Sequence, residues 1–294
     1  MSKFVSDQAE GLRRLLGREF VRIVTVTSGC RRVGRTSVVV NLAAALARAG
    51  RDVLVIDENT GAAGLTSGLG VTAHYDLLDV MEGRRSLEKV IVSAPQGIAI
   101  LPAGRGLRAL AGIDDAARAH LVESFRRLAS PADVVLVDAV AGDASRLLSL
   151  DLPSHEIGIV VSSDAASITD AYALIKRVSQ RHAKRSFHVV VNRVASAAAA
   201  QDIFGNLADV ASRFLCVTLH FMGYIPTDEN LKQSNRLSRS VVDAFPIAPS
   251  ARAYRRIAEV LGEWPCRNDA DGGLPALMQR LIQANHPVAA GLTL

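Results

Sequence analysis

The stretch Ser28-Gly29-Cys30-Arg31-Arg32-Val33-Gly34-Arg35-Thr36-Ser37 follows directly on the apolar run Ile23-Val24-Thr25-Val26-Thr27. Gly29, Gly34 and Thr36 fall at the spacing G-x-x-x-x-G-K-[ST], in which backbone amides cradle phosphates and the final hydroxyl meets magnesium. Arg35 stands where that pattern has its lysine. The turn has the shape to hold a nucleoside triphosphate, yet the side chain that should bridge its β- and γ-phosphates is a bulkier, planar cation. The spacing speaks for binding and the substitution against hydrolysis.

Outward from this turn the chain alternates strands and helices. Residues 36–49 are rich in alanine and leucine and end at Gly50, which predicts a helix with a glycine stop. Val53-Leu54-Val55-Ile56 then runs into Asp57, completing a first βαβ unit. Further apolar strands are expected at 98–101, 133–138, 157–161, 187–191 and 217–225, with helices from about Asp114, over 167–180, from Ala197 and around Tyr254, Ile257, Ala258 and Leu261. Near-continuous apolar strands between helices predict an α/β fold: a doubly wound, mostly parallel sheet with helices on both faces. In such a sheet ligands gather at the carboxyl ends of the strands, where the turn, Asp57-Glu58-Asn59, Asp138 and Asn192 all fall. Asp138, ending a later apolar strand, suits a carboxylate behind a magnesium ion held by Thr36.

Composition narrows the remaining classes. The 294 residues are 49% hydrophobic, without an apolar run of about 18 residues or an N-terminal leader pattern, which predicts a cytosolic protein. Three cysteines, Cys30, Cys216 and Cys266, are too few and too dispersed for a disulfide framework or a zinc site. Cys30 stands beside two arginines, which would favour its thiolate. The net charge of +5 is scattered over helices with little aromatic interleaving, which argues against nucleic acid as a partner. His155, His182 and His188 have no metal-ligand spacing and read as surface or packing residues.

Two terminal segments flank this core. Ala9, Leu12, Leu15 and Leu16 recur at helical spacing over residues 6–18. At the other end a polar, turn-rich linker over 265–273 precedes Leu274, Leu277, Met278, Leu281 and Ile282, an apolar stripe on one helix face. That stripe requires a surface: protein, a partner groove or a bilayer.

The assembled pieces resemble a known family. Asp7-Gln8-Ala9-Glu10-Gly11-Leu12-Arg13 is similar to the DQAxxLR activating motif of the FlhG (FleN) branch of the MinD/ParA deviant Walker ATPases. The segments at 167–176, 191–194, 224–228 and 249–254 resemble that family too, in its order, so the likeness covers roughly residues 5–262. It implies an N-terminal activating helix over 1–18, a P-loop NTPase-like domain over 19–263, and a linker with an amphipathic tail over 264–294. It further implies ATP with magnesium as ligands, a nucleotide-dependent homodimer, and an FlhF-type GTPase as partner. Peripheral membrane contact through the tail and a role in flagellar number or placement follow from the same likeness.

By position, Gly29, Arg31, Arg32, Val33, Gly34, Arg35, Thr36, Ser37, Asn192, Arg193 and Pro226 would bind the nucleotide, Gly34 to Ser37 cradling its phosphates and Asn192 bonding the adenine. Thr36 and Asp138 would serve magnesium, Asp57 would lie in the catalytic set, and Asp7, Gln8, Leu12 and Arg13 would act on the partner. The departures all bear on turnover. Cys30 replaces the family's lysine after the first glycine, Arg31 and Arg32 replace glycines, and Asn59 replaces the aspartate that positions water. An amide cannot serve as a base, and loss of a cation where charge grows is worth on the order of a hundred- to thousandfold in rate. Arg31 or Arg32 could supply that missing charge.

Overall fold

The chain's computed structural model describes residues 21–59, 64–128, 132–142, 145–149, 155–264 and 274–284. The strand at its centre is β1, Arg22–Thr27, buried from Ile23 onward on both faces. Five more strands of the same apolar kind join it in parallel: β2 Val53–Asp57, β4 Ala99–Pro102, β5 Val134–Asp138, β6 His155–Ser162 and β7 Ser186–Val194. At one edge β8, Thr218–Pro226, is also parallel; at the other the two-residue β3, Val92–Ser93, runs antiparallel. The order is β3-β4-β2-β5-β1-β6-β7-β8, the expected doubly wound sheet. The chain leaves β1 toward one edge and returns to its other side with β6, so the end of β1 is a topological switch point, where such sheets open a crevice for ligand.

Helices cover both faces. In chain order they are α1 Arg35–Arg48, α2 Leu65–Gly68, α3 Leu77–Met81, α4 Leu87–Val90, α5 Gly104–Ala109, α6 Asp115–Arg126, α7 Ala165–His182, α8 Ala197–Leu215, α9 Glu229–Arg236, α10 Val241–Ala244, α11 Pro249–Glu263 and α12 Leu274–Ala284. α1 buries an unbroken run from Val38 to Leu46 between the sheet and α11. That burial explains how three consecutive valines, poor helix formers in isolation, sit in its first turns. Gly50 ends α1 in the left-handed region at φ 81°, as its position predicts. The last carbonyls of α11 are capped from β1: the Arg22 guanidinium donates to Leu261 O and to Trp264 O.

α12 lies on the opposite face, against α6. Leu274, Leu277, Met278, Leu281 and Ile282 join Leu121 and Phe125 in one apolar cluster. Of the three surfaces the stripe could take, protein covers it here. The helix expected over 6–18 and the linker over 265–273 lie outside the described residues.

Candidate functional site

The turn after β1 opens on a cavity of about 1130 Å³ lined by Ser28, Cys30, Arg31, Arg32, Gly34, Arg35, Thr36 and Ser37. Two glycines fix its shape. A Cβ on Gly29 would lie 2.2 Å from the carbonyl carbon of Asp170 in α7, so the turn rests on the backbone of that helix. Gly34 adopts φ 89°, and a Cβ there would meet Asn192 Nδ2 at 2.4 Å. From the end of β7, Asn192 Nδ2 donates to Val33 O at 2.7 Å and Arg193 Nη1 to Arg32 O at 2.9 Å. Holding the carbonyls from beneath fixes the turn's peptide planes.

β2 and β5 bring their terminal carboxylates together, since Asp57 and Asp138 are register partners on adjacent strands. Arg35 Nε donates to Asp138 Oδ1 at 2.6 Å, and Thr36 Oγ1 donates to Asp138 Oδ2 at 2.7 Å. Arg35 Nη2 also donates to Asn59 Oδ1 at 2.9 Å. The Asn59 amide turns its Nδ2 to Asp57 Oδ1 at 2.9 Å and Asp138 Oδ2 at 3.0 Å. Asp57 accepts two further backbone bonds, from Asn59 N and Leu65 N. The result is a closed network of two carboxylates, one amide, one hydroxyl and one guanidinium. Burial pushes the Asp57 and Asp138 carboxyls above their ordinary range, Asp138 to about 6, against the opposing pull of Arg35.

This network decides whether a divalent ion fits. Thr36 and Asp138 are joined as a metal's hydroxyl ligand and supporting carboxylate would be. Both oxygens of Asp138 are nevertheless occupied by three donors, and one of them belongs to a cation. A magnesium ion at Thr36 would face a guanidinium bonded to the same carboxylate, with like charges side by side in a buried place. The residues as arranged do not fit the metal.

The other predicted positions sort themselves geometrically. Arg31 and Arg32 are exposed at the cavity rim with Arg193. Val33 is buried, and Asn192 lies beneath the turn at 2% exposure with its Oδ1 unpartnered among the described residues. Pro226 lines a separate groove between β8 and α11. Cys30 reverses the expectation of a favoured thiolate: burial and the neighbouring Asp170 carboxylate raise its thiol. Asp7, Gln8, Leu12 and Arg13 lie outside the described residues.

Sequence reasoning missed Arg108, which reaches the cavity from α5. The Asp76 side chain, capping α3, accepts from Arg105 N and Gly106 N and so docks α5 there. No linear pattern announces that contact. His155 and His188 are packing residues: His155 Nε2 lies 2.9 Å from Thr25 Oγ1, and the His188 ring stacks on Trp264 at 3.8 Å. His155 and His188 lie toward the start of their strands, at the sheet end opposite the cavity.

Comparison with known proteins agrees with this geometry. The chain is 36% identical over 267 residues to the antiactivator FleN of Pseudomonas aeruginosa, covering 91% of this chain and 95% of that protein. It is 28% identical to the flagellum site-determining protein YlxH of Helicobacter pylori, over 82% and 81% of the two chains. Among solved structures it resembles MinD in the MinC:MinD cell division protein complex of Aquifex aeolicus, with 27% identity, a TM-score of 0.64, and coverage of 84% of this chain and 98% of that one. Residues 24–240 match the CobQ/CobB/MinD/ParA nucleotide binding domain, a span from β1 through the turn and the Asp57–Asp138 pair almost to α10. With that match over most of its length and the cavity where such a domain places its ligand, the chain belongs to the CobQ/CobB/MinD/ParA nucleotide-binding family.

Proposed function

We propose that this chain is a flagellar regulator of the FleN and FlhG kind, which holds ATP in the cavity after β1 and turns it over slowly or not at all. The regulatory role is supported by likeness to FleN over nearly the full length of both chains. Nucleotide binding is supported by the open turn and the cationic lining of its cavity. Weak turnover rests on one observation: the Asn59 amide is tied to Arg35, Asp57 and Asp138 at once. A group so engaged neither takes a proton from water nor turns to orient it. The neutral thiol of Cys30 adds no charge where a transferring phosphoryl group needs it.

The protein then works by binding. Residues 1–18, through Asp7, Gln8, Leu12 and Arg13, stimulate an FlhF-type GTPase, while the 19–263 domain governs dimerisation; peripheral membrane contact through the 264–294 tail requires the α12 stripe to leave α6. Phosphate release from ATP is expected to be negligible and to recover partly in the combined Cys30→Lys, Arg35→Lys, Asn59→Asp variant. Rapid wild-type hydrolysis that Asp138→Ala eliminates overturns this. A peptide of residues 1–17 should accelerate GTP hydrolysis by the cognate GTPase, and Gln8→Ala should abolish the effect; an inert native peptide removes the partner. A slow MinD-like ATPase is the second reading, favoured by Arg31 and Arg32 at the rim, where either could replace the missing cation.

A further inference from the structure

The cavity is more cationic than a metal-assisted phosphate site requires. Arg31, Arg32, Arg35, Arg108 and Arg193 line it, against Glu58 as the acidic residue among its described lining. Arg35 differs from the other four, which are exposed, in being largely buried. Its side chain is 12% exposed, and it is held at two points, by Asp138 at 2.6 Å and Asn59 at 2.9 Å. A guanidinium has five N–H donors in a rigid fork. Two are engaged among the described residues, which leaves three on a group that faces the cavity.

Asn59 is the complement that makes this arrangement possible. Its carbonyl oxygen accepts from Arg35 while its amide nitrogen donates to Asp57 and Asp138. A carboxylate at position 59 could do the first and not the second, and would put three like charges around one point. Such an acidic trio calls for a divalent ion; an amide with an arginine does not. The two substitutions are therefore a matched pair: where the pattern has a lysine, the Arg35 fork holds Asp138 and Asn59 at once, so the carboxylate is countered within the chain.

We propose that Arg35 is a resident cation that takes over the charge role of a divalent metal, so that the cavity binds a polyphosphate chain in its metal-free form. The ligand class is a nucleoside di- or triphosphate, or inorganic polyphosphate of similar length, held by the fork of Arg35, the turn amides and the rim arginines. This rests on the reading above that the cavity holds nucleotide. It predicts that magnesium contributes nothing to affinity, since the ion must be stripped from the ligand or stand against the guanidinium.

The test is calorimetric titration of ATP, and separately of inorganic tripolyphosphate, into the full chain in EDTA and in excess magnesium. Wild type is expected to bind ATP in EDTA at least as tightly as in magnesium. Arg35→Lys, whose single ammonium cannot hold Asp138 and Asn59 as a fork, is expected to bind about tenfold more tightly in magnesium than in EDTA, the loss of one charge-assisted contact being worth about that much. Tripolyphosphate binding as well as ATP assigns the ligand to the phosphate chain alone, and markedly tighter ATP assigns it to the nucleoside. Wild-type binding that appears only with magnesium overturns the resident cation and leaves the nucleotide in place. No binding of ATP in either buffer overturns the nucleotide reading itself. Should Arg35→Lys not fold, the two wild-type titrations decide the matter.

Discussion

Asp57 and Asp138 end adjacent parallel strands in register, and the Asn59 amide spans them, 2.9 Å from the first and 3.0 Å from the second. Two buried carboxylates this close repel unless something donates to both. Here the donor is an amide and the countercharge is Arg35, so the pair is satisfied without help from outside the chain.

Replacing that amide should expose the repulsion. Asn59→Asp removes both donations and adds a third negative charge beside two buried ones, expected to cost about 3 kcal/mol in EDTA. Magnesium should restore much of the loss in the variant and leave wild-type melting unchanged. Thermal denaturation of both proteins with and without the ion checks this; equal magnesium responses would contradict it.

The elevated Asp138 carboxyl makes stability depend on pH in a stated direction. Burial holds its folded value at about 6 against an ordinary 3.8. Between roughly 4 and 6 the folded chain keeps a proton that the unfolded chain has released, so the unfolding free energy falls as pH rises across that window. Urea denaturation from pH 4 to 7 should show this decline steeper in wild type than in Asp138→Asn. Parallel profiles would contradict it.

Gly29 has no room for a methyl group. A Cβ would stand 2.2 Å from the Asp170 backbone, so Gly29→Ala must push the turn and α7 apart, at an expected cost of about 2 kcal/mol with loss of anion binding. Gly112→Ala, where nothing lies within 4 Å, is the control and should leave both quantities unchanged.

The docking of α12 can be measured from α6. Leu277 is fully buried in the cluster that contains Leu121 and Phe125. Leu277→Ala should cost about 2–4 kcal/mol and speed amide exchange along residues 115–126. An unchanged exchange pattern in α6 would show that the tail helix leans on it too lightly to matter.

Much of this architecture was legible because its strands are buried on both faces. Val134–Asp138 and His155–Ser162 show as apolar runs long before any partner is known. The stripe of α12 was equally plain, since period alone marks it, although period could not choose its surface. Shorter elements were invisible for the opposite reason. α9, ENLKQSNR, has no apolar period and starts where the Asp228 side chain accepts from Asn230 N. β3 is two residues whose pairing with β4 is entirely tertiary.

The site divides in the same way. Gly29, Gly34 and Thr36 declare themselves by spacing, whereas the bonds of Arg35 join positions 24 and 103 residues away. Asn59 read as a loss, an aspartate gone missing, because a sequence shows which group is absent and not what the replacement touches. Cys30 misled through its neighbours: Arg31 and Arg32 project to the rim, while the residue's own surroundings are α7 and Asp170.

The seat of Gly29 on α7 has one more implication. Backbone meets backbone there with no pliable side chain between them, so turn and helix behave as a single stiff member. A helix of 18 residues reaches roughly 27 Å. The seat at Asp170, the sixth residue of α7, therefore ties the turn to the first third of that helix, about 18 Å of helix short of His182.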